Sequence, residues 1–130
     1  MTVFRRNMAG PEAHALVNAE RTRRIRAGFS FKDKRYDYDE ASQARIAGAS
    51  TAALGALTAG AQPGNLRWHG AATDFAWIAA DNALTPMDAP TCFAFGQAAM
   101  AHEAAHIFAA RALKDAAAVP PDFTDDRHWP

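Results

Sequence analysis

The sequence predicts an α+β fold: three helices, two small antiparallel β-hairpins or a short meander, and an extended C-terminal tail. Three observations predict it. Alanine, the strongest helix former, supplies 33 of 130 residues. Short runs alternating aromatic with polar side chains break the Ala-rich stretches, as strands do. Leu, Ile, Val and Phe together number only 21, so the 49% hydrophobic content is mostly alanine and the core is thin. A chain of this length suits one domain, expected over 11–118, between an arm at 1–10 and a tail at 119–130.

The elements follow in order. Pro11 to Ala27 reads as a helix, with Pro in its first turn and Arg21, Arg23, Arg24 and Arg26 at its dipole-negative end. Gly28 is a natural stop. Phe29–Phe31 and Tyr36–Tyr38 form a hairpin with one aromatic face, turning at Lys32–Arg35. Asp39 or Glu40 opens a second helix, about 40–60, closed by Gly60 and the turn Gln62-Pro63-Gly64-Asn65. Leu66–Trp68, Asp74–Ala80 and Ala83–Thr85 read as strands of a small meander, with a tight turn at Asp81-Asn82. A third helix reaches about Ala117; Thr85, in Thr85-Pro86-Met87-Asp88, and Asp88 itself are both N-cap candidates, and Pro90, which fits only a first turn, favours the later start at Asp88. Three prolines and three acids mark the tail, 119–130, as extended.

The two long helices are paved with small residues. In the third, Cys92, Phe95, Ala99, Met100, Ile107 and Leu113 share one sector; Ala94, Ala98, Ala101, Ala105, Ala109, Ala112 and Ala116 lie opposite. In the second, Ile46, Ala49, Ala53, Leu54 and Leu57 oppose Gly48, Ala52, Gly55 and Ala59. A solvated face normally carries Glu, Lys or Gln. The Ala face therefore reads as biased composition or as a surface for close approach within the domain or by another copy. Ala98, Ala101, Ala105 and Ala109 are its candidate interface positions, joined by Phe123 and Trp129 of the tail, which are expected to dock on this chain or a neighbour.

Net charge is zero, yet residues 1–35 hold nine basic and three acidic side chains, and 36–130 hold five and eleven. The resulting +6 and −6 read as segments that neutralise one another within the fold or between copies, so no nucleic-acid partner is expected. No stretch is long and apolar enough to insert in a membrane. No apolar run follows the N-terminal arginines, so a signal peptide is not expected. The single Cys92 excludes an internal disulfide and reads as a small buried side chain.

One pattern looks like chemistry. His102-Glu103-Ala104-Ala105-His106 matches H-E-x-x-H, in which two histidines one helical turn apart hold zinc and the Glu serves as base. A third ligand is missing from the sequence: Ala109 and Ala112 stand where the longer metzincin motif has Gly and His, and no Glu follows Glu103. Asp126 and His128 are the remaining substitutes. A zinc-dependent peptidase or amidase is thus the enzymatic alternative; the preferred reading has no catalytic residue, metal or cofactor. Trp68 and Trp77 are a candidate ligand face for a small carbohydrate- or receptor-binding module, against the plainer role of core for a small sheet.

The stretches Val17–Phe29, Ile46–Ala49, Gly60–Gly70, Trp77–Asn82, Pro86–Asp88 and Ala105–Asp115 together resemble a phage and prophage domain of unknown function, family 4376, in its alphaproteobacterial prophage form. The resemblance covers the chain from about residue 17 onward. It implies a virion structural or assembly protein of the tail tip, tail fibre or baseplate, assembled in the bacterial cytoplasm. Its implied partners are other phage structural proteins and further copies of itself as a homo-oligomer, with host-surface contact as an additional role. The family assigns no catalytic residues, so none carries over.

Overall fold

The computed structural model describes residues 10–130, so most of the arm expected at 1–10 lies outside the described residues. The architecture is α+β. Helix α1 spans Gly10–Arg26, strands β1 and β2 Phe29–Phe31 and Lys34–Tyr36, and α2 Glu40–Thr58. Strands β3 and β4 follow at Ala76–Ile78 and Leu84–Pro86, then α3 at Ala89–Asp115 and a 3-10 turn at Asp126–His128. Each strand pair is a separate antiparallel two-stranded sheet. No helix among the described residues is long and apolar enough to cross a membrane. The chain divides into two compact units, 1–25 with 102–130 and 26–101.

The second unit, 26–101, is cored by aromatic rings. Phe95 of α3 is fully buried. Its ring centroid lies 4.7 Å from Tyr36 and 5.4 Å from each of Phe29, Phe31 and Trp77. Tilted and edge-on pairs at such distances stabilise beyond their burial. Asp39 caps α2 by accepting from Ser42 N at 2.9 Å. Asp88 does the same for α3 through Thr91 N at 2.8 Å, with Pro90 in the first turn. Both caps stand where the sequence puts them. Gly28 has φ +109, and a Cβ there would lie 2.7 Å from Tyr36 O, so the step from α1 into β1 requires glycine. Gly96 meets α2 closely: a Cβ would collide with the Ser50 side chain. This is a small-residue helix contact inside the unit.

Two strand expectations need correction. The first hairpin turns at two residues, not four. Lys32 and Asp33 both have positive φ, and Phe29 pairs with Tyr36. The second strand therefore ends at Tyr36, leaving Tyr38 beyond it but still buried. Leu66–Trp68 is a turn, not a strand. Asn65 Oδ1 accepts from Arg67 N at 2.9 Å and curls the chain locally. The meander is thus a single hairpin, with Asn82 at φ +71 in its turn.

The first unit, 1–25 with 102–130, has a smaller core of Ala13, Val17, Ala110, Leu113, Val119, Phe123 and Trp129. The C-terminal segment does not run out extended. It turns after Pro120, and the Asp125 carboxylate caps the 3-10 turn through Arg127 N. The Trp129 indole N–H donates to Phe123 O at 2.8 Å. Prolines remove backbone donors, but Phe123 and Trp129 are large enough to anchor the segment by burial. Charge is buried here too. Glu20 accepts from Arg23 and Arg24; Arg24 also donates to Asp126 and Thr124 O and stacks over the Trp129 ring. The basic N-terminal segment and the acidic remainder therefore pair within the chain, here through Arg24–Asp126 and in the second unit through Lys34–Asp81.

The buried stripe of α3 is also narrower than the sector expected from the sequence. Cys92, Phe95, Ala99, His106, Ala110 and Leu113 are buried, whereas Met100 and Ile107 are exposed. Spacings of four, seven and four residues, one or two helical turns each, carry the stripe from Phe95 through Ala99 and His106 to Ala110. Met100 and Ile107 sit to one side of it, beyond reach of either core. Leu54 of α2 is likewise exposed.

Candidate functional site

Three places carry the residues singled out above. The first is the H-E-x-x-H turn of α3. His102 and His106 share a face, with ring centroids 4.5 Å apart and edge to face. Their ring nitrogens meet backbone oxygens: His102 Nε2 is 2.9 Å from Ile25 O, and His106 Nδ1 is 2.8 Å from His102 O. A carbonyl only accepts, so each of these nitrogens carries a proton and donates. His106 is buried and stacks on Trp129 at 6.3 Å. The substitutes for a third ligand are engaged elsewhere, Asp126 with Arg24 and His128 Nε2 with Asp122 Oδ1 at 3.0 Å. Among the described residues no three His, Cys, Asp or Glu side chains gather into a metal-ligand set. The visible work of the pair is structural: His102 ties α3 to the end of α1, and His106 backs the tryptophan of the C-terminal segment.

The second place is the aromatic face, where the two tryptophans part company. Trp68 packs on Phe75 at 4.8 Å and on His69, and its indole N–H donates to Met87 O at 3.0 Å. It borders a shallow depression with Ala56, Ala59, Gly60, Ala61, Asn65, Arg67 and Gly70. Trp77 instead lines a separate cleft of about 330 Å³ with Asp37, Ser42, Arg45, Ala76 and Ile78. Three elements supply this cleft: the loop after β2, the first turns of α2, and β3. Asp37, Ser42 and Arg45 are not apparent as site residues from sequence, because no local motif joins them. The one hint is Arg45, a basic residue in a helix otherwise charged only at Glu40. Asp39 beside the cleft has its carboxyl lowered from the ordinary value, first by the Ser42 hydrogen bonds and, more weakly, by the Arg45 charge.

The third place is the outer face of α3. Of the candidate interface alanines, Ala101 and Ala105 are exposed and Ala98 and Ala109 are half-buried, Ala109 against the core of the first unit. Phe123 and Trp129 are inside that core. The sequence reading missed Phe108, which is 71% exposed on the same side as Ala105 and Ala112. Met100 and Ile107 are exposed beside this row, at 59% and 44%. Cys92 is buried, and burial pushes its thiol up to about 11. It therefore stays protonated at neutral pH and is a poor nucleophile.

The family model for a domain of unknown function, DUF4376, matches residues 9–127. No curated protein and no solved structure matches the chain. The chain belongs to the DUF4376 family.

Proposed function

We propose that this member of the DUF4376 family is a structural or assembly component of a phage or prophage particle. It works through protein–protein contacts at a tail tip, tail fibre or baseplate. It is synthesised in the bacterial cytoplasm and ends in the virion. The observation that carries the reading is the outer face of α3 within the first unit, where Phe108 stands exposed between Ala105 and Ala112, flanked by Ile107. Scattered exposed apolar residues are ordinary, but a row along one helix face with small neighbours is what a packing partner meets. The resemblance of the sequence to prophage domains supports the particle setting. Other copies of the chain and neighbouring particle proteins are the proposed partners.

Two measurements test this. Light scattering on the purified chain should give an oligomer, and Ala105→Glu with Phe108→Glu should convert it to a folded monomer. Both side chains are exposed, so the fold should persist. Mass spectrometry of particles released from an induced lysogen should find the chain. Its absence from purified particles, together with a monomeric wild type, overturns the reading.

A further inference from the structure

We propose that the cleft beside β3 binds a neutral saccharide of one or two rings. The Trp68 N–H is taken up by Met87 O. Ser42 is likewise taken up by Asp39, but the other polar side chains lining the cleft are not so engaged. Among the described residues Asp37 and Arg45 make no hydrogen bond or ion pair, and the Trp77 indole N–H has no acceptor. No buried side-chain nitrogen or oxygen there lacks a partner, so the Trp77 N–H is open to solvent.

An ionised Asp37 only accepts, whereas Arg45 and the indole only donate. The charges of Asp37 and Arg45 oppose, and Asp39 beside the cleft is engaged by Ser42 as the cap of α2, with the Arg45 charge also reaching it, so the side chains left to meet a ligand carry no net charge. A ligand meeting acceptor-only and donor-only groups on one small frame needs groups that do both, and hydroxyls do. The remaining wall is apolar, formed by Trp77, Ala76 and Ile78, the last 58% exposed. A sugar ring presents the matching pair of surfaces, hydroxyls at its rim and C–H groups on its face. A cleft of about 330 Å³ lies at the small end of ligand sites, which limits the occupant to one or two rings. The site stands apart from the outer face of α3 and from the particle role proposed above. It gives the carbohydrate alternative a defined place, with Trp77 retained and Trp68 replaced by Asp37 and Arg45.

The test is a titration of the full chain followed by NMR of the Trp77 indole and the Arg45 side chain. The probes are methyl glucoside, methyl galactoside, N-acetylglucosamine and their disaccharides. At least one sugar should shift both signals saturably. Asp37→Asn should weaken that binding about tenfold, the loss expected for one charged hydrogen bond. Asp37 is exposed and unpartnered, so this variant keeps the fold. Trp77→Phe, which retains a ring against Phe95 but removes the N–H, should weaken binding by a smaller factor. Trp68→Phe should leave it unchanged. Absence of shifts up to about 50 mM, where a ligand of about 1 mM affinity is nearly saturating, overturns the proposal. Stronger binding by leucylglycine overturns it in favour of a zwitterion spanning Asp37 and Arg45. Binding only by an extended peptide overturns it in favour of strand addition at β3.

Discussion

The unit of residues 26–101 and the unit of 1–25 with 102–130 draw on different parts of the same composition. In the former, Phe95 meets Phe29, Phe31, Tyr36 and Trp77, so packed rings form the centre of the core. In the latter, fully buried Ala13 and Ala110 sit in a small core closed by Phe123 and Trp129. Arg24, paired with Glu20 and Asp126, lies over that tryptophan. Alanine brings helices close but buries little area, so side chains from the C-terminal segment must complete the core. The thin core implied by composition is therefore two different cores, one aromatic and one dependent on polar closure.

The largest expected effect breaks the aromatic side of this comparison. Phe95→Ala removes the ring shared by four contacts and should cost about 3–5 kcal/mol. Hydrogen exchange should show protection lost first at Phe29, Ile46 and Met87, and later at Val17 and Leu113. Equal loss at all five positions would mean that the two cores do not differ in what sustains them.

How far this was legible in the sequence depends on how local each signal is. The caps Asp39 and Asp88, the stop at Gly28 and the place of Pro90 act within one turn, and the helices begin and end within a few residues of expectation. The buried side of α3 is not local. Its first half serves one core and its second half another, so a sector averaged over the helix included Met100 and Ile107 wrongly. His106 reads as polar, yet a bond to His102 O and a tryptophan behind it make burial affordable. Of the candidate ligand residues, Trp77 was visible as an aromatic in a strand. Asp37, Ser42 and Arg45 were not, since their meeting depends on how a loop and a helix start are brought to β3.

A middle-sized effect probes the polar closure. The Glu20 carboxyl is held below its ordinary value of 4.5, first by the Arg23 hydrogen bond and then by Arg24, against the opposing cost of burial. A carboxyl lowered in the fold contributes stability that is present above its unfolded value and lost as pH falls through the folded one. Melting temperature should therefore fall on acidification below about 4.5, through this and the other lowered carboxylates. Glu20→Gln should lower stability at neutral pH by about 2 kcal/mol, since Arg23 and Arg24 lose the carboxylate they share and Arg24 keeps only Asp126. It should also flatten the acid limb. A variant with an unchanged acid limb would show that Glu20 is not one of the groups that set it.

The smallest effect sharpens the comparison by adding stability to the aromatic unit alone. The β1–β2 turn places Lys32 at φ 49 and Asp33 at φ 64, both left-handed. Two-residue hairpins favour this geometry because its twist matches the strands, but they favour Asn and Gly in it. Lysine has no short polar group to offset the strain, and aspartate offsets it only in part. Both side chains are exposed; Lys32 lies over the Phe31 ring and its charge reaches the Asp88 cap of α3, so Asp33 is the position to change. Asp33→Gly exchanges strain in the fold for extra freedom in the unfolded chain, and the strain is the larger quantity. The net gain should be about 0.5–1 kcal/mol, read as a higher melting temperature. Because the turn belongs to the hairpin whose rings pack on Phe95, the gain should appear as slower exchange at Phe29 and Tyr36. It should leave the pH dependence attributed to Glu20 where it was. A gain that instead shifted the acid limb would tie the two cores into one cooperative system.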